Sequence, residues 1–221
     1  MTPAQTEPRS DKEEPRGFSR RGFLVATGAV AASAVVLAAC GGDDDDSSSG
    51  TDTTDAPDTG SSDADIAKLA AGLEVLAVGT YKAALDAATA GKLGAVPPAV
   101  ATFAKTALAH HEKALSTWNG VLTGAGATAV TTPPADLKAT VDSQFAKVTD
   151  SVGVAKLALM LEQIAADTYL SAVPKLKDKT AITTAGTFQT LDQEHVAILL
   201  FVLGQYPVPD VFQKTTNAYA G

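Results

Sequence analysis

Between residues 66 and 204 apolar positions return every three to four residues, and the two-residue alternation of a half-buried strand is absent. Breakers cut this pattern into four long stretches and one short one. The first helix is predicted to start after Asp63 or Asp65 as its cap and to run to about Ala90, where Gly91 stops it. Pro97-Pro98 opens the second, which continues to roughly Thr123, ahead of Gly124-Ala125-Gly126. Residues 124–150 form the longest connection, in which Pro133-Pro134 precedes a short helical pattern over 135–148. The third helix runs from about Ser151 to Val173 and is closed by Pro174; the fourth spans roughly Thr180 to Gly204. The tail carries Pro207 and Pro209 and is expected to pack as an irregular strap through Val208, Val211 and Phe212. Short links inside each half and a long link between halves fit an all-α four-helix bundle made of two helical hairpins, with the short extra helix in the crossover.

The pattern is also written twice. LEVLAVGTYKAAL at 73–85 aligns without a gap with LEQIAADTYLSAV at 161–173, which puts Glu74 on Glu162 and Tyr81 on Tyr169. TALAHHEKAL at 106–115 aligns with TLDQEHVAIL at 190–199, which puts His111 on His195. At about 100° per residue, Glu74 shares its line with Ala67, Ala70, Tyr81 and Leu85, and Glu162 with Ala155, Ala158, Ala166 and Tyr169. His111 lies with Ala104, Ala107, Leu108, Leu115, Trp118 and Leu122, and His195 with Phe188, Asp192, Leu199 and Val202. Lys68, Lys82 and Asp86 make the wet face of the first helix, while Lys156 and Asp167 fall off the Glu162 line.

Each long helix therefore sets an ionisable group among hydrocarbon, where an unpaired carboxylate is costly or changes its protonation. Two arrangements satisfy four such helices. One is a metal-free polar network in which Glu74 and Glu162 bond to tyrosine hydroxyls and imidazoles. The other is a metal centre, because carboxylate oxygen with imidazole nitrogen suits iron, manganese or zinc. Residues 66–221 hold only four glutamates and three histidines, and Glu112 and Glu194 adjoin the repeated histidines.

Charge changes the picture only once it is divided along the chain. Residues 43–65 hold nine Asp and no base, whereas 66–221 hold twelve Lys against twelve Asp and Glu. The net charge of −8 thus belongs mainly to a linker, 41–65, with almost nothing to bury, expected to act as an extended disordered tether. No Arg follows Arg21, and a basic nucleic-acid footprint is missing, so nucleic acid is excluded as a partner. Residues 1–40 read as an export signal: a polar, basic start ending in Arg20-Arg21, an uncharged run over 24–39, then Leu37-Ala38-Ala39-Cys40. This resembles a twin-arginine signal joined to a lipobox, which implies lipidation of Cys40 and anchorage on the outer face of the cytoplasmic membrane. Cys40 is the only cysteine, so no disulfide forms within the chain.

Residues 66–204, with Glu-x6-Tyr in the first and third helices and Asp192-x-x-His195 in the fourth, resemble the ferritin-like superfamily and in particular exported bacterial ferritin-like domain lipoproteins. The resemblance implies a ferritin-like bundle over 66–221, with Glu74 and His111 on one metal, Glu162 and His195 on another, and Asp192 as the bridging carboxylate. Tyr81, Tyr169, His110, Glu112 and Glu194 would stand behind these ligands. The pattern departs from the family at Leu108, where Glu-x-x-His would require an acid, and at Asp192, one methylene shorter than Glu. The implied function is a membrane-anchored envelope protein that binds iron or a similar metal, one ion or two; oxidase chemistry of the two-metal kind would require an acid where Leu108 stands. The alternative is a metal-free binding or scaffold module, with a second copy of the chain or another protein as its partner. A storage cage fits poorly with a lipid anchor, and no Ser or Cys stands beside a His with an orienting acid as a hydrolase would need.

Overall fold

The computed structural model describes residues 62–221; the export signal with Arg20, Arg21 and Cys40, and most of the acidic linker, lie outside them. Helix α1, Asp63–Thr89, is capped by Ser62 rather than by Asp63 or Asp65. The Ser62 hydroxyl accepts the Asp65 N–H at 3.2 Å, satisfying a donor that the first turn leaves without a partner. Asp63 instead accepts the backbone N–H groups of Lys177 and Asp178, at 3.0 and 2.6 Å, and so ties the start of α1 to the loop before the last helix. Helix α2 is Pro98–Gly124, α3 is Ala135–Phe145, α4 is Ser151–Ala172 and α5 is Lys179–Val202. A single 3-10 turn, Val173–Lys175, ends α4 at Pro174. Asp150 and Asp178 cap α4 and α5 through the N–H groups of Gly153 and Ala181, at 2.7 and 2.8 Å. Gly91 and Gly204 take φ of 71° and 73°, the left-handed conformation that lets the chain leave α1 and α5 sharply.

The chain folds as an all-α bundle, with no strand among the described residues. Helix α1 packs chiefly on α2, and α4 on α5; α1 against α4 and α2 against α5 close the bundle. Where α1 begins, Trp118, Leu122, Tyr169, Phe188, Ala67 and Ala181 fill the interior. Toward the other end Tyr81, Ala107, Ala155, Ala158 and Leu199 do so. The crossover helix α3 lays Leu137 and Val141 on Leu73, Leu76, Leu157 and Leu161, covering the seam between α1 and α4. The many alanines at these contacts let helix backbones approach while leaving room for polar side chains between the two apolar ends.

The C-terminal strap differs from expectation in where it grips. Val208, Val211 and Phe212 are 61%, 89% and 83% exposed. The anchors lie further on: Asn217 gives both its N–H and Nδ2 to Asp167 Oδ2, at 2.9 and 3.0 Å, and the Tyr219 N–H bonds Thr168 Oγ1 at 2.8 Å. The Tyr219 hydroxyl donates to Asp136 Oδ1 on α3 at 2.6 Å. Between α5 and these anchors, Val208, Pro209, Asp210 and Phe212 border a groove whose other wall is Gln163 and Asp167 of α4 and Gln193, Val196 and Leu200 of α5. Ile198, Phe201 and Val202 at the end of α5, Tyr206, Val208, Val211 and Phe212 after it, and Val152 at the start of α4 are all exposed. No helix among the described residues is long and apolar enough to cross a membrane.

Candidate metal centre

Between the two apolar ends, five ionisable side chains from four helices meet: Glu74 on α1, His111 on α2, Glu162 on α4, and Asp192 and His195 on α5. None is more than 3% exposed. Glu162 sits at the middle, with Oε1 3.1 Å from His111 Nε2 and Oε2 3.2 Å from His195 Nδ1. Each histidine has a partner for its second nitrogen as well. His111 Nδ1 lies 2.8 Å from Glu74 Oε2, and His195 Nε2 lies 3.0 Å from His110 Nδ1.

The duplicated Glu and Tyr are bonded across the halves rather than within them. Tyr81 of the first half donates to Glu162 Oε1 of the second at 2.5 Å, and Tyr169 of the second donates to Glu74 Oε1 of the first. Trp118 Nε1 donates to the Tyr169 hydroxyl at 2.8 Å, so that the chain of bonds ends in the apolar layer. Tyr81 stacks on the His111 ring and Phe103 meets His195 edge-on. These contacts fix both imidazole planes.

The electrostatics follow from burial and from who faces whom. Burial opposes a charge on His111, but the Glu162 and Glu74 carboxylates override it and raise its pKa well above the usual value. Burial likewise works against charge on Glu162, yet His111 and His195 bring its carboxyl down to about 2. Asp192 goes the other way: burial first, then the charges of Glu162 and Glu74, push its carboxyl well up. Burial, followed by the neighbouring Glu162 and Glu74 carboxylates respectively, raises Tyr81 and Tyr169 well above their usual range, so both remain neutral hydrogen-bond donors. Asp192 Oδ2 is buried with no partner at all.

Donor atoms of His111, Glu162, Asp192 and His195 all lie within 4.8 Å of one another. Two nitrogens and two carboxylate oxygens in that compass form a donor set that a first-row transition metal accepts. The partnerless Asp192 oxygen is the feature that the hydrogen-bond network leaves over and a cation would satisfy. The residues present therefore fit a metal ion.

Glu74 is close but does not belong to that group. Its carboxylate bonds His111 Nδ1 and the Tyr169 hydroxyl, and its charge acts on Asp192. At the other side, Leu108 packs with Tyr81, Ala107 and Leu199, so hydrocarbon occupies the position where the resemblance would put a second acid. His110 does not replace Leu108; it stands outside His195. Glu112 and Glu194, placed behind the ligands by the sequence, are both exposed; only the charge of Glu194 acts inward, on His110. Glutamates that follow or precede an inward histidine by one position point about 100° away from it, which explains the difference. The Trp118–Tyr169 bond was not anticipated, although Trp118 had been placed on the His111 line.

An all-α bundle with a buried carboxylate–imidazole group at its centre is the architecture of a ferritin-like protein. The sequence profile of the ferritin-like domain matches residues 62–205, and the chain belongs to that family. No curated protein and no solved structure matches it.

Proposed function

We propose that this chain is a membrane-anchored ferritin-like lipoprotein of the cell envelope that binds one transition-metal ion through His111, Glu162, Asp192 and His195. Iron is the first candidate, with manganese and zinc accepted by the same donors. The observation that carries this reading is Asp192, whose buried oxygen lacks any partner in a cluster where every other carboxylate is bonded. Leaving a buried acceptor unsatisfied costs about 1–3 kcal/mol, and a cation at the centre offsets that cost. The hydrocarbon around Leu108 supports one ion over two. Bound iron would supply redox chemistry that the side chains lack. The chain's own part is to hold Glu162 with Tyr81, to orient His111 through Glu74, and to exclude water with the apolar layers.

Anchorage on the outer face of the cytoplasmic membrane is a reading supported by Arg20-Arg21 and by Leu37-Ala38-Ala39-Cys40. Cys40→Ser should move the protein from the membrane fraction to the soluble fraction; equal membrane association of the two forms would contradict the anchor. A second reading, a metal-free binding or scaffold module, is favoured by one observation, the exposed apolar residues at and after the end of α5. A second copy of the chain is the partner proposed for that surface.

Elemental analysis separates the two. The full chain, purified after growth with iron, should carry one ion per molecule, and Glu162→Ala with His195→Ala should carry none. Equal, sub-stoichiometric metal in both forms would leave the scaffold reading standing alone.

A further inference from the structure

The buried centre is sealed on most sides. On the α1–α4 flank Leu73, Leu76, Leu137 and Leu161 leave only a cavity of about 10 Å³ against Glu74, His111 and Glu162, room for no more than one water; Trp118, Tyr169 and Phe188 close one end, and Tyr81, Ala107 and Leu199 close the other. Hydrogen bonds lead out of the centre to Tyr81, Tyr169, Trp118 and His110. The first three are buried; among the described residues bonded into this network, His110 alone is half-exposed. Its ring lies nearly parallel to that of His195, 8° between planes, with Nδ1 facing His195 Nε2 at 3.0 Å. Exposed Glu194 on α5 is near enough for its charge to act on His110.

We propose that His110 is the capture residue at the mouth of the centre: a divalent cation from solvent is first bound by its imidazole, beside Glu194, and passes inward past His195. This inference rests on the metal reading above and adds the route to it. An imidazole next to a carboxylate is a short-lived binding site for a borderline cation. A carboxylate near a half-exposed imidazole raises the local concentration of cations there. His110 sits outside the four donors, so removing it changes how fast the ion moves and leaves the ion's final partners intact. By microscopic reversibility uptake and release slow together.

The test follows cobalt(II), as the metal alone, into the metal-free full chain by stopped-flow absorbance, with the dissociation constant measured separately by equilibrium titration. His110→Leu should slow uptake and release alike, by about tenfold or more, with little change in affinity. His110→Asn, which keeps a polar ligand atom, should lie between, and guards against a folding defect in the leucine variant. Glu194→Gln should slow uptake at low ionic strength and have little effect at high salt. Unchanged or faster uptake in both His110 variants overturns the proposal. A weaker affinity with an unchanged uptake rate overturns it too, and makes His110 a positioning residue for His195. Failure of the wild-type chain to bind cobalt, zinc or iron overturns the metal reading itself, an outcome no His110 variant can mimic.

Discussion

Asp192 is the residue at which structure and stability pull apart. Its partner in the other half of the duplication is Leu108, an apolar side chain in an apolar layer, whereas Asp192 leaves a buried oxygen with nothing to bond. Asp192→Val, close in size and without polar atoms, should stabilise the metal-free protein by about 1–2 kcal/mol while abolishing metal binding. Urea unfolding in a chelator measures the first and elemental analysis the second. A destabilised variant would show that Asp192 is satisfied in the metal-free state. The charges around it give a pH signature. Glu162 is depressed to about 2 from an ordinary 4.5, so its pairing contributes fully above about pH 4.5 and is lost as the pH falls through about 2. His111 is raised above its ordinary 6.5, so the same pairing, counted once, is complete below that value and lost as the pH rises through the folded pKa. The stability gap between wild type and Glu162→Gln, both metal-free, should therefore narrow on acidification from pH 4.5 toward 2. A gap that stays constant over that window would contradict the ion pair.

At the scale of elements, the strap and the crossover helix act as one cover over the α1–α4 seam. Asn217 satisfies Asp167, a carboxylate only 7% exposed on α4, and Tyr219 reaches α3 through Asp136. Asn217→Leu removes the side-chain donor and should cost about 1–3 kcal/mol, whereas Tyr219→Phe, acting at an exposed bond, should cost about 1 kcal/mol or less. Chemical denaturation ranks them; the reverse order would mean that the tail grips through α3 rather than α4. How much of this was legible depends on range. The helices and their ends were readable because glycines, prolines and the apolar period act within a turn or two. The convergence of Glu74, His111, Glu162 and His195 was readable because the repeat puts each on the apolar line of its helix. Spacing within one helix cannot tell which side chain on another it bonds, so the crossed Tyr81–Glu162 and Tyr169–Glu74 pairs were not. Asp167 fell off the apolar line of its helix because its cover comes from residues fifty positions away, and the strap was expected to grip through Val208, Val211 and Phe212 because the polar bonds of Asn217 and Tyr219 leave no mark in an apolar pattern.

For the whole molecule, each half of the duplication supplies a glutamate, a tyrosine and a histidine to the centre, and the halves differ where Leu108 of the first aligns with Asp192 of the second. That asymmetry gives a donor set for one ion rather than two. The exposed apolar residues at the end of α5 include none of the four donors, so the two can be tested apart. If they pair with a second copy, Phe201→Ser with Phe212→Ser should shift the sedimenting species from dimer to monomer with metal content unchanged. A monomeric wild type would leave that surface without a like partner. The donor set is tested most directly by an anomalous difference map from crystals of the metal-loaded protein. One peak is expected, within coordination distance of His111 Nε2, His195 Nδ1, Glu162 and Asp192, with Glu74 still bonded to His111 Nδ1. Two peaks, or a peak that takes Glu74 as a ligand, would contradict it.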